Sequence, residues 1–147
     1  MTLVLAKEKS LDAVRDALFG RRTVVWYKDK LIGRPEHLRP IFDASIEVLT
    51  PEVRFGNKES AVLQFRNRSD VPIDMSLEVP ADLVAPKHMW LNPRQVGRIT
   101  IGAKPEAKSG KREIEIPGEV ENFLVTPDGG LPASLRFKAT VVIQKSI

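Results

Sequence analysis

Two histidines, His37 and His88, and nineteen Asp and Glu residues are the groups in this 147-residue chain suited to binding metal or moving a proton. A hydrolytic site built on several metals needs imidazoles and carboxylates converging on one point. The spacing here does not deliver that. His37 stands beside Glu36, and adjacent residues of a helix do not converge. His88 lies far along the chain, between Lys87 and Met89. With no companion ligand at usable spacing, both read as surface or partly buried imidazoles. There is no cysteine, which excludes disulfides, thiolate chemistry and cysteine-ligated zinc. The chain also lacks a Gly-x-Ser-x-Gly elbow, a Walker loop and a Gly-x-Gly-x-x-Gly turn.

The cations and aromatics offer softer candidates. Gly20-Arg21-Arg22 has the guanidinium groups that suit phosphate oxygens. It follows a helix, however, where cations complement the C-terminal dipole, and that structural role is the plainer reading. Trp26 and Tyr27 end an apolar run and are candidates for the rim of a substrate site, with core packing the alternative. Trp90 sits among Lys87, Arg94 and Arg98, as a sugar- or lipid-binding platform would require; a lone Trp in an alternating strand is more simply core.

The formal charge is +4, and the excess is dispersed. Residues 1–47 hold nine Lys and Arg against seven Asp and Glu, and the remainder hold fourteen against twelve. Neither half is a basic arm, which argues against nucleic acid as a partner. No apolar run approaches the ~18–20 residues that cross a bilayer. The opening MTLVLAKEKS has only a short apolar run and no small-residue cleavage site, unlike a signal peptide.

The surrounding pattern falls into two parts. Thr2 to Ala6 reads as a strand buried on both faces. Ser10 is a fitting N-cap for a helix whose apolar face is Leu11, Val14, Ala17 and Leu18, with Gly20 as a left-handed C-cap. Thr23 to Tyr27 (TVVWY) is β-branched and aromatic, a second buried strand. Strand, helix, strand in this order predicts a parallel crossover. Pro35 suits the start of another helix, Pro40 predicts a break in it, and Ile41, Phe42 and Ala44 are expected to face inward.

From Pro51 onward the character changes. Nine prolines punctuate runs with period-two alternation, at Val62–Phe65, Ile73–Val79, Ile99–Ile101, Ile114–Ile116 and Leu135–Val141. Short alternating strands between turns such as Asn67–Pro72 and Pro127–Gly130 indicate a β-sandwich. Lys104 to Arg112 reads as a solvated hairpin tip. The boundary falls near Ile46 to Pro51. Two strands and a few helical turns cannot cover both faces of a parallel sheet. Residues 1–46 must therefore pack on the sandwich, pair with another copy, or belong to a larger domain.

The stretch TLVLAKEKSLDAVRDALFGRRTVVWYKDKLIGRPEHL, and within it ALFGRRT at Ala17 to Thr23, resembles the closing segment of PHP-domain (polymerase and histidinol phosphatase) phosphoesterases. The match is to bacterial phosphodiesterases with a C-terminal β-sandwich extension, and NRSDVP at Asn67 to Pro72 is similar to that extension. The resemblance implies a β/α barrel holding divalent metal ions bound by His and Asp/Glu, with every metal ligand lying before the segment shared with this chain. It also implies an enzyme that is often exported to the periplasm.

The expectation is thus an α+β chain. Residues 1–46 form the terminal strand-helix-strand-helix segment of a PHP-like barrel, and 47–147 an immunoglobulin-like antiparallel β-sandwich. The chain is expected to be non-catalytic by itself, with no catalytic residue, metal ligand or cofactor of its own. Its expected partner is the remainder of the barrel or another protein chain. The alternative is a self-sufficient binding or assembly module, acting through protein contacts such as a homodimer.

Overall fold

The computed structural model describes residues 1–145; the last two residues of the expected 47–147 unit lie outside them. In chain order the elements are β1 (Thr2–Val4), α1 (Leu11–Phe19), β2 (Thr23–Tyr27), β3 (Lys30–Ile32), α2 (Pro35–Ser45), β4 (Ile46–Val48), β5 (Glu52–Gly56), β6 (Ala61–Asn67), β7 (Ile73–Leu77), β8 (Leu83–Val84), β9 (His88–Leu91), β10 (Val96–Ala103), β11 (Gly110–Thr126) and β12 (Gly129–Val142).

Two sheets result. An eight-stranded sheet runs β1-β2-β3-β11-β12-β5, and β7 and β9 branch from β11. A four-stranded sheet runs β4-β6-β10-β8. The alternating runs form strands as expected, because period-two patterning puts every second side chain into one core. Along β12, Leu131, Ala133, Leu135, Phe137, Ala139 and Val141 are all buried. They pack in one cluster with Leu63 and Phe65 of β6, Ile99 and Ile101 of β10, and Ile73 and Met75 of β7. The β11–β12 hairpin turns at Pro127-Asp128, with Thr126 opposite Gly129. Lys104 to Ser109 forms the expected loop, although Ala107 tucks into the core and β11 already begins at Gly110.

Gly56 marks where β5 lies against β12: a Cβ there would come within 1.7 Å of the Val142 carbonyl oxygen. Gly118 plays the same part where β11 meets β7, with Ser76 O at 2.1 Å from such a Cβ.

The first forty-five residues depart from the expectation in several ways. β1 and β2 pair antiparallel, Leu3 opposite Val24, so the strand-helix-strand unit is not a parallel crossover. The parallel contacts lie elsewhere: β3 lies parallel to β11, Leu31 opposite Phe123, and β5 parallel to β12, Val53 opposite Ala139. A hairpin was hidden in the run, since Tyr27 pairs with Lys30 across Lys28-Asp29. Lys28 takes φ 55° in that turn, a conformation usually left to Gly or Asn. The expected double burial also fails. β1 is an edge strand with no buried residue, and in β2 only Val24 is buried.

Helix α1 starts as read, with Ala13 N donating to Ser10 Oγ at 3.1 Å. Its C-cap glycine is not left-handed. Gly20 has φ −77° and the left-handed residue is Arg21, φ 55°. Helix α2 runs unbroken through Pro40. Pro40 and Glu36, the residue whose carbonyl loses its donor, are both exposed, so water can satisfy that carbonyl. Its buried residues are Leu38, Phe42 and Ser45; Ala44 is exposed, contrary to the expectation. Phe42 meets Phe123 edge-on, with centroids 6.3 Å apart, a geometry worth about 1 kcal/mol beyond its burial.

Two buried asparagines fasten these parts. Asn67 Nδ2 donates to Val71 O (2.7 Å) and Leu91 O (3.2 Å), while its Oδ1 accepts from the backbone and hydroxyl of Ser69. Asn122 Nδ2 donates to Asp29 O (2.7 Å) and Pro72 O (2.6 Å), and its Oδ1 accepts from Asp74 N (3.0 Å). Asn122 therefore ties the turn of the β2–β3 hairpin to the sandwich. A register shift in β11 between Val120 and Leu124 accompanies it.

Candidate functional site

Trp26 and Tyr27 are neighbours in β2, so their side chains leave the sheet on opposite faces. Trp26 is half-buried against the core, and its Nε1 donates to Lys28 O at 2.8 Å. Tyr27 is 58% exposed, with the Lys28 ammonium 5.4 Å from its ring centroid. Of the two, Tyr27 is open to a partner or ligand, and Trp26 is engaged in packing.

The histidines lie apart. His37 is half-buried on α2, and its Nδ1 has no hydrogen-bond partner among the described residues. His88 is on β9, where its Nε2 meets the Asp74 carboxylate; the pair is diagonal, since the register sets Ser76 opposite His88 and Asp74 opposite Trp90, and sequence spacing does not report it. Among the described residues no three His, Asp or Glu side chains gather as a metal would require. The residues present therefore do not fit the divalent ions that the resemblance implies.

The cationic candidates are also committed elsewhere. Arg22 Nη2 bonds Asp16 Oδ2 at 2.7 Å, and its Nε reaches Leu5 O, so the Gly-Arg-Arg turn closes on its own helix. Trp90 is 46% exposed, against the core placement expected for it, and its Nε1 donates to Asn92 Oδ1. Even-numbered β9 residues point outward while Met89 and Leu91 fill the core. Arg94 does not join Trp90 in a platform: its Nε donates to Asp70 Oδ1 at 2.8 Å. That hydrogen bond, with the attraction of the guanidinium, holds the Asp70 carboxyl below its ordinary range and raises Arg94.

Two outward-facing surfaces of the large sheet differ in chemistry. On the β11–β12 ladder, Glu113 stands opposite Lys138 and Glu115 opposite Arg136. The Ser134 hydroxyl and then the Arg136 guanidinium, 3.3 Å away, lower the Glu115 carboxyl. Beside this ladder a groove of 490 Å³ is lined by Val48, Pro51, Glu52, Glu113, Arg136, Phe137 and Lys138. On β1, β2, β3 and the end of β11 the cross-strand row is Thr2, Val25, Ile32 and Leu124. Val25 and Ile32 are each 42% exposed. A concavity of 330 Å³ adjoins the row, lined by Ile32, Leu124, Val125, Thr126 and Pro127. Helix α1 adds exposed Leu11, Leu18 and Phe19. The spacing of Leu11 and Leu18 predicts a buried face, and the structure leaves both open.

A two-domain protein from Bacteroides vulgatus containing a predicted PHP-like metal-dependent phosphoesterase has a solved structure that matches this one. The TM-score is 0.75 at 32% identity, and the match covers 93% of this chain and 38% of that one. The matching part is that protein's C-terminal region, and the chain spans well under half of its length. The E. coli chaperone DraB matches over 67% of this chain and 55% of its own, at 19% identity and a TM-score of 0.50, a likeness of fold alone. Among curated proteins, none matches the chain. A family model described as an Ig-like domain matches residues 46–136, β4 through most of β12. That match takes in more than half of the chain, which therefore belongs to this family of Ig-like domains.

Proposed function

We propose that this chain is the accessory, non-catalytic unit of a metal-dependent phosphoesterase of the PHP type. Residues 1–46, whose β1, β2 and β3 extend the large sheet of the sandwich, lie against the catalytic α/β barrel, and the Ig-like sandwich buttresses it. The observation that carries this reading is the match over 93% of the chain to part of a two-domain protein containing such a phosphoesterase. The ALFGRRT stretch, which runs from α1 into β2, supports it from the sequence side.

On this reading the divalent ions belong to the barrel. Its own His and carboxylates hold them, and there they generate hydroxide and stabilise phosphoryl oxygens. The present chain contributes position and shape. Tyr27, exposed at the end of β2, is its residue best placed to border a substrate rim; Trp26 supports that strand from the core side. The reading is tested by assaying the purified chain on bis-p-nitrophenyl phosphate with added Mn²⁺, Mg²⁺ or Zn²⁺. No hydrolysis above the metal-only rate is expected. Turnover that a chelator abolishes and that depends on His37 or His88 would overturn it.

A further inference from the structure

Resting on that reading, we infer that the outward face of β1, β2 and β3 is the docking surface for the phosphoesterase barrel, with Val25, Ile32, Leu124 and Tyr27 at its centre. The argument begins with strand chemistry. A half-solvated strand alternates apolar and polar residues, whereas a strand covered on both sides runs apolar throughout. TVVWY runs apolar throughout, yet only its inward face is covered, by the cluster that includes Leu31, Leu38 and Phe42. Val25 and Ile32 face each other across the hairpin and remain 42% exposed. The apolar concavity beside Leu124 continues the same surface. A contiguous apolar surface of this kind marks an interaction site. At the end of α1, Phe19 is 82% exposed, within the ALFGRRT stretch that carries the family resemblance.

The occupant is argued from the same page. Most of the two-domain relative lies outside the matched region, and it contains a phosphoesterase. The face of the β11–β12 ladder, with Glu113 opposite Lys138 and Glu115 opposite Arg136, is instead finished with opposite charges.

The test is co-expression of the full chain with the phosphoesterase portion of the Bacteroides vulgatus protein, read as a one-to-one complex on size exclusion. Three variants accompany the parent: Val25→Asp with Ile32→Asp, Tyr27→Glu, and Arg136→Glu. Thermal unfolding of each chain alone is the folding control. The expected result is a complex with the parent chain, at least ten-fold less with the Asp pair, a smaller loss with Tyr27→Glu, and none with Arg136→Glu. A complex that survives the Asp pair and Tyr27→Glu but is lost with Arg136→Glu overturns the docking face and leaves the accessory reading intact. No complex with a folded, monomeric parent chain overturns both. Self-association of the parent chain that the Asp pair abolishes overturns the barrel as occupant in favour of a second copy.

Discussion

The outward face of the β11–β12 ladder and that of the β1–β2–β3 extension belong to one sheet but are finished differently. On the ladder, Ile114, Ile116, Leu135 and Phe137 go inward, while Glu113, Glu115, Arg136 and Lys138 meet across strands on the outside. That is the surface of a sheet that ends in water. On the extension, Val24 and Leu31 go inward, and Val25 and Ile32 go outward. Among the described residues no acid–base pair closes that face; Val25 and Ile32, of the kind that fill cores, lie open beside Thr2, Tyr27 and Lys30. The difference teaches that one sheet can be finished with paired charges along the ladder and leave apolar side chains open along its extension.

The severest way to break this comparison is from the sandwich side. If its closure is a fixed close approach of backbones, Gly56→Ala drives a methyl into the Val142 carbonyl. A loss of about 3 kcal/mol is expected, read as a shift in the urea midpoint. An unchanged midpoint would mean that β5 and β12 have room to part.

Next comes the tether between the two regions. Asn122→Leu removes the donor to Asp29 O and Pro72 O and the acceptor for Asp74 N. Leaving buried groups unpaired costs about 2–3 kcal/mol here. Hydrogen exchange should show protection lost first at residues 23–32, with 114–116 and 135–141 retained. Simultaneous loss in both would show that extension and sandwich unfold as one unit.

Adjacent residues of β2 sharpen the contrast further. Val24→Ala, on the buried face, is expected to cost about 2 kcal/mol. Val25→Thr, on the open face, is expected to stay within about 0.5 kcal/mol. Equal effects would mean that the outward face is packed in solution. Ser10→Ala removes the α1 cap and should cost about 1 kcal/mol.

The smallest effect is electrostatic. Asp70 and Glu115 have folded-state carboxyls held below their ordinary range. Such groups stabilise the fold above the unfolded-state pKa, near ~4, and the contribution is lost as pH falls through the folded value. Arg94→Ala should therefore make unfolding slightly less sensitive to acid below that range, with no change at neutral pH beyond the loss of an exposed pair. An acid limb identical to the parent's would show that the pair is absent in solution.

Much of the sandwich is legible because alternation reports burial directly: Leu135, Phe137, Ala139 and Val141 can be read residue by residue. The extension is not. Its apolar runs suit strands buried on both faces, and the same residues lie half open. Pattern records what a strand is suited to meet, whether or not the partner is present. The β2–β3 hairpin escaped notice because Lys28-Asp29 has neither Gly nor Asn to announce a turn. The parallel crossover was inferred from element order, which does not fix strand direction when a connection returns along the same edge. Asn67 was placed in a turn, but its burial, like that of Asn122, depends on contacts distant in sequence. Trp26 and Tyr27 were singled out together, and only their opposite faces separate a packed side chain from an open one.

The central claim is that the bare face of β2 and β3 is where the phosphoesterase barrel sits. Hydroxyl-radical footprinting of the chain, alone and with the co-expressed phosphoesterase portion of the Bacteroides vulgatus relative, tests it directly. The account predicts that Val25, Tyr27 and Ile32 react readily in the chain alone and are protected in the mixture, while Phe137 and its groove are unchanged. Undiminished reaction at Tyr27 and Ile32 in a formed complex would contradict it.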